Sequence, residues 1–189
     1  ARVLWMAKEL GLDFKSVQTS PGEGSREAAF MKINPNGHVP AIDDDGVILW
    51  ESLACNLYLL KKHGGPLLPK NVADEGRMMQ WSFWAMCELE PQILPLLFKM
   101  IRPAATTDAA VAAAPERLPQ VLDVLNGALA GKDYLLGSSF TGADLNVASV
   151  SSFLKMLKYD FKPFPNVDAW LGRCLGRPAF AAASAVKAS

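Results

Sequence analysis

No regular structure can run through His63-Gly64-Gly65-Pro66-Leu67-Leu68-Pro69-Lys70-Asn71. Pro66 and Pro69 lack the amide that a helix or a ladder requires, and paired glycines hold no backbone conformation of their own. Ahead of this break, helix and strand signals alternate. Beyond it the periodicity is helical, with no convincing strand pattern. The spacing predicts an α/β domain over residues 1–62, a linker over 63–71 and an all-helical domain over 72–189.

Composition narrows the functions open to such a chain. Half of the 189 residues are hydrophobic and 20% are charged, which excludes a disordered chain. Nineteen basic residues balance nineteen acidic ones, so nothing points to nucleic acid or to an anionic membrane surface as partner. Lys8, Glu9, Arg77, Glu88, Glu90 and Lys99 interrupt the longest apolar stretches before any reaches the ~20 residues of a membrane span. Arg2, Lys8 and Glu9 also break any signal-peptide character at the start. Cys55, Cys87 and Cys174 are odd in number and far apart, which fits neither a disulfide framework nor a metal site. The expectation is a soluble, cytoplasmic protein without a metal.

The local signals are specific. Val3, Leu4, Met6, Ala7 and Leu10 share one face of a helix that Gly11 stops. That helix has no cap residue before it, which suggests that the chain is N-terminally incomplete; removal of a methionine before Ala1 is the alternative. Asp13 to Gln18 alternates polar with apolar and predicts a short strand. Ser25 is placed to cap a short helix reaching Ile33. Val39–Ile42 and Val47–Trp50 flank Asp43-Asp44-Asp45-Gly46 and predict a hairpin whose acidic run is a solvated turn. A helix over Ser52–Lys62 follows. In the second part, Asp74–Met100 is helical with a kink or break near Pro91 and Pro95, and Asp108–Ala130 is helical with Pro115 as a possible fresh start. Thr141 and Asp144 are spaced as a capping box, with Phe140 and Leu145 as its hydrophobic staple, opening a helix to Leu157. Val167–Leu175 and Pro178–Val186 complete the helices.

Three places could carry chemistry. Pro40 enters an apolar strand after the turn-rich Asn34-Pro35-Asn36-Gly37-His38. A cis Val39–Pro40 bond would present the Val39 backbone to a ligand, although trans is the default for the dipeptide alone. His38 is either a surface turn residue or a ligand contact. Glu51-Ser52 stands at a helix start, where free amides and positive potential attract a carboxylate. Ser52 adds a hydroxyl donor and Glu51 could meet an amine, so the pair could hold an amino-acid head group; an ordinary acidic cap is the plainer reading. Cys55 reads as a buried apolar thiol rather than a nucleophile. The Met78, Met79, Trp81, Phe83, Trp84 and Met86 cluster has the spacing of a core face, and could also line an apolar pocket.

Taken together, Asn34–Ile42, the Asp-Gly hairpin, Trp50-Glu51-Ser52-Leu53-Ala54, Leu67-Leu68-Pro69-Lys70 and Phe140–Ala148 resemble the cytosolic glutathione S-transferase family. The closest likeness is to bacterial theta-like or nu-like members. Each motif is weak alone, but five in this order cover nearly the whole chain. The resemblance implies a thioredoxin-like N-terminal domain followed by a helical-bundle C-terminal domain. It implies that Pro40 is cis, that the Val39 backbone pairs with the cysteinyl part of glutathione, and that Glu51 and Ser52 hold its γ-glutamyl group. His38 would reach the glycyl carboxylate. Trp81, Trp84 and Glu88 would line the pocket for a small apolar electrophile. A homodimer and a role in detoxification also follow from it.

The chain departs from the family pattern at its start. The family's first strand, and the loop carrying the group that favours the glutathione thiolate, precede its first helix. The thiol-activating residue and that strand are therefore expected upstream of Ala1, and Ser16, Ser25 and Cys55 are not offered in its place. Arg2 stands close to where that loop would end and is a candidate for electrostatic help. Three readings stay open: a transferase with glutathione as co-substrate, a glutathione-transferase-like binding or regulatory module without turnover, and a glutathione-dependent isomerase or ether-cleaving enzyme.

Overall fold

A computed structural model describes residues 2–101 and 108–186, with side chains in the second stretch from residue 116 onward. By its contacts the chain forms two units, Ala1–Leu68 with Pro178–Ser189, and Pro69–Arg177.

The first unit is built on α1 (Arg2–Glu9), whose Val3, Trp5, Met6 and Ala7 are buried. Gly11, at φ +64°, takes the left-handed conformation that ends the helix. The sequence reading makes a strand of Asp13–Gln18, and the structure corrects this: the segment is irregular, with Phe14 36% and Val17 72% exposed. Alternation marks a segment able to pair, but a strand also needs a ladder partner. Among the described residues the sheet has two strands, β1 (Ala41–Asp44) and β2 (Val47–Trp50).

Ser25 does not cap the next helix. It lies in a 3-10 turn, Gly24–Arg26, and its hydroxyl accepts the Gly22 amide at 3.1 Å. The helix α2 (Ala28–Met31) starts after Glu27 instead. The hairpin forms as its turn chemistry requires: Asp45 (φ +55°) and Gly46 (φ +88°) both take left-handed conformations, and Asp43 Oδ1 accepts the Gly46 amide at 2.8 Å. The acidic run is tied down by Lys62, which reaches Asp44 at 2.8 Å and Asp45 at 3.2 Å. That hydrogen bond holds the Asp44 carboxyl below its usual range. Lys62 belongs to α3 (Ser52–His63), which buries Leu53, Cys55, Leu59 and Leu60 and packs on α1 and on both strands. The sequence reading places the last helix in the helical domain. In the structure α9 (Pro178–Ser184) packs on α1, where Trp5 and Phe180 meet edge-on at 4.9 Å.

The second unit is helical. Asn71 Oδ1 accepts the Asp74 amide at 2.8 Å and caps α4 (Val72–Trp84). A π turn, Ala85–Leu89, joins α4 to α5 (Glu90–Ile101), where the Glu90 amide reaches back five residues to the Ala85 carbonyl. Pro91 has no amide to offer Cys87, so the widened turn falls where the ordinary ladder is interrupted. Pro95 lies inside α5. The helix α6 (Asp108–Ala128) runs through Pro115 and Pro119 without a fresh start. It packs on α5 and on α8 (Pro165–Leu175). Asn126 Oδ1 accepts the amides of Asn166 and Val167, at 3.0 and 3.4 Å, at the start of α8.

At the centre lies α7 (Gly142–Met156), opened by the Thr141–Asp144 capping box that the spacing predicts. Phe140 and Leu145 are buried, as a staple requires. Between α4 and α7 the Asn146 amide donates to Ser82 Oγ at 2.9 Å, both side chains being buried. Among the described residues no helix is long and apolar enough to cross a membrane.

Candidate functional site

The hairpin decides which candidate residues stand together. Its antiparallel register pairs Ala41 with Trp50 at the open end. Pro40 directly precedes β1 and Glu51 directly follows β2, so both stand at this end of the hairpin. A ladder four residues long thus gathers two motifs that are eleven residues apart in sequence. The Val39–Pro40 bond is cis, and Val39 is 40% exposed.

The loop that delivers Val39 is braced from within. Asn34 is 2% exposed; its amide donates to the His38 carbonyl at 2.7 Å and its oxygen accepts the Asn36 amide at 3.1 Å. Gly37 takes φ +63° with the Arg26 side chain against it, so that a Cβ there would lie 2.9 Å from Arg26 Cδ. His38 itself is exposed beside this brace. The sequence reading took Asn34 only as turn chemistry; the one available signal was an Asn with an Asn-Gly pair two residues on.

At the other motif, Glu51 is exposed and takes φ +66°, ψ 109°, a conformation costly for a residue with a Cβ. Among the described residues the Glu51 side chain makes no capping bond to α3. Its carboxylate is thus not spent on the helix start. Ser52, the first residue of α3, is only 8% exposed, and its hydroxyl accepts a 2.7 Å hydrogen bond from Arg2 Nη1. This contact spans fifty residues of sequence, and the sequence signal for Arg2 was only its place near a helix start.

Cys55 lies one turn further along α3, fully buried, and burial pushes its thiol up to about 11. A thiol so placed is neutral at physiological pH, which agrees with its reading as a packing residue.

Trp81, Trp84 and Glu88 belong to the helical unit. Trp81 and Trp84 meet edge-on at 5.0 Å, and both are half-buried. Glu88 lies in the π turn and pairs with Arg117 of α6 at 2.9 Å. The sequence reading missed Arg117, since nothing local links residues 29 apart. Among the described residues no group of His, Cys, Asp and Glu could hold a metal ion.

Comparison with known proteins places this arrangement. Residues 1–62 match the glutathione S-transferase N-terminal domain and residues 89–178 match the glutathione S-transferase C-terminal domain. A glutathione S-transferase of Hyoscyamus muticus is 35% identical over 96% of this chain and 91% of its own length. One from Drosophila melanogaster is 32% identical over 89% of this chain and 78% of its own. Among solved structures, the theta class glutathione S-transferase from Xanthomonas axonopodis pv. citri, with glutathione bound, superposes with a TM-score of 0.88 at 27% identity, over 100% of this chain and 92% of that one. The small sheet unit and the helical unit are those of a two-domain glutathione-dependent transferase. The chain belongs to the glutathione S-transferase family.

Proposed function

We propose that this chain joins the thiolate of glutathione to small apolar electrophiles. The sulfur forms a bond to an electrophilic carbon, which either expels a leaving group or, in an addition, takes up a proton. Glutathione's γ-glutamyl end lies at the start of α3: the Ser52 hydroxyl donates to its carboxylate and Glu51 meets its ammonium. The Val39 backbone pairs with the cysteinyl part, and His38 reaches the glycyl carboxylate. The observation that carries this reading is Glu51 itself, an exposed carboxylate in a strained backbone conformation, beside a buried hydroxyl at a helix start. Strain of this kind clusters at functional sites.

Trp81 and Trp84 offer aromatic surface on the helical unit, and with Glu88 they are assigned to the electrophile. The proposed electrophile is a small apolar molecule, and the proposed role is detoxification in the cytoplasm. The chain is proposed to work as a homodimer. Val72, Met79 and Phe83 are 86%, 42% and 63% exposed on α4, at spacings of seven and four residues that put them on one face. Light scattering should report twice the chain mass; a monomer at micromolar concentration overturns the dimer.

Isothermal titration with glutathione tests the site. A hydrogen bond to a charged group contributes roughly 1.5–3 kcal/mol, so Ser52→Ala should weaken binding by roughly one to two decades. Unchanged affinity would place glutathione elsewhere. Binding without turnover of any electrophile by the wild-type protein would favour a binding or regulatory module.

A further inference from the structure

We infer that Arg2 is a positioning residue for glutathione, acting through the Ser52 hydroxyl; this rests on the site reading above. A guanidinium only donates, so in the 2.7 Å contact Ser52 Oγ must be the acceptor. A serine hydroxyl has a single hydrogen, and accepting from Arg2 leaves that hydrogen to be donated elsewhere. Ser52 is nine-tenths buried, so few directions are open to it. Arg2 thereby turns a freely rotating hydroxyl into an oriented donor.

The charge arrangement points the same way. The start of α3 already carries the positive potential of its free amides. A carboxylate that accepts the Ser52 hydrogen enters this potential while the Arg2–Ser52 contact stays in place. A carboxylate flanked by an ammonium matches the set of one oriented hydroxyl, one helix start and the carboxylate of Glu51. The γ-glutamyl end of glutathione has that pair of charges on one carbon.

Arg2 is also a residue of α1, which packs on α3, so a change there could act on the fold alone. A double-mutant cycle separates the two roles. Arg2→Ala should weaken glutathione binding about tenfold. In a Ser52→Ala background the same change should cost less than about twofold, because the hydroxyl that Arg2 orients is gone. Arg2→Lys keeps a donor and a charge and should recover at least half of the lost binding free energy. The ligand supplies the decisive arm: γ-aminobutyryl-cysteinyl-glycine, which is glutathione without its γ-glutamyl α-carboxylate, should bind wild type, Arg2→Ala and Ser52→Ala with equal affinity. If Ser52→Ala weakens glutathione binding but Arg2→Ala does not, the role of Arg2 is overturned and the site stands. Additive losses in the cycle, or loss of the decarboxylated ligand in Arg2→Ala, assign Arg2 to the fold alone. If Ser52→Ala binds glutathione as wild type does, the site reading and this one fall together.

Discussion

The Trp170 indole N–H donates to the Asp144 carboxylate over 2.9 Å, with both side chains fully buried. The same oxygen accepts the Leu135 amide at 2.8 Å, and the other accepts the Thr141 amide and hydroxyl, each at 2.9 Å. One carboxylate therefore joins the loop at 135, the start of α7 and the side of α8. An exposed cap contributes about 1 kcal/mol. Here, removing the carboxylate leaves several donors buried without an acceptor, each costing about 1–3 kcal/mol. Asp144→Ala should thus lower unfolding free energy by about 3 kcal/mol or more in urea. Trp170→Phe removes a single donor and should cost about 1–2 kcal/mol by the same scale. A loss under about 1 kcal/mol in Asp144→Ala would reduce this residue to an ordinary cap.

Burial also sets the reactivity of the cysteines. Cys55 and Cys174 are fully buried and Cys87 is exposed. At pH 8 iodoacetamide should modify Cys87 in the folded protein, and Cys55 and Cys174 only after denaturation. Mass spectrometry of the digested protein reads this directly. The Cys55 thiol is lifted from an ordinary 9.0 to about 11. The unfolded chain therefore loses this proton first as pH rises. Stability held by the neutral thiol is complete below pH 9 and drains away as pH climbs towards 11. Cys55→Ala should show a shallower decline over that window, with glutathione binding intact. Loss of binding in this variant would move Cys55 into the site.

The edge-on contact of Trp5 with Phe180 ties the terminal helix to the first one. Aromatic truncation in a core costs about 3–5 kcal/mol, and Phe180 is only partly buried. Phe180→Ala should cost about 2 kcal/mol on that scale and expose α9 to proteolysis before the rest of the chain. Simultaneous cleavage everywhere would show that α9 opens only with global unfolding.

These contacts mark how far the sequence could be read. The hairpin was legible because Asp45-Gly46 can take two successive left-handed conformations, and apolar runs flank it on both sides. The start of α7 was legible because a capping box is complete within four residues. Both signals are local. Asp13–Gln18 was misread because alternation reports a preference, whereas a strand is made by its neighbour. The packing of α9 on α1 joins chain ends, and no spacing rule links Trp5 to Phe180. At the candidate site, His38, Val39, Pro40, Glu51 and Ser52 were singled out from two short motifs, and one hairpin brings those motifs to the same end of its ladder. Arg2 and Asn34 escaped a definite role because theirs lies in what they touch. The π turn was visible only through Pro91, which marks a missing amide without saying how the chain closes around it.

In the proposed site Glu51 would join backbone strain to ligand charge, and two substitutions separate them. Its φ of +66° carries a cost of order 1–3 kcal/mol for a residue with a Cβ. Glycine accepts that conformation freely but loses more entropy on folding, about 0.5–1 kcal/mol. Glu51→Gly should therefore raise unfolding free energy, by about 1 kcal/mol on balance, while weakening glutathione binding by at least tenfold. Glu51→Gln keeps the strain and the shape and removes only the charge. It should leave thermal stability unchanged and weaken binding by a similar factor, with the loss shrinking in high salt as screening reduces the attraction in wild type. A Glu51→Gly variant less stable than wild type would mean that neighbouring residues favour this conformation whatever stands there. A Glu51→Gln variant with full affinity would take the ammonium away from this carboxylate.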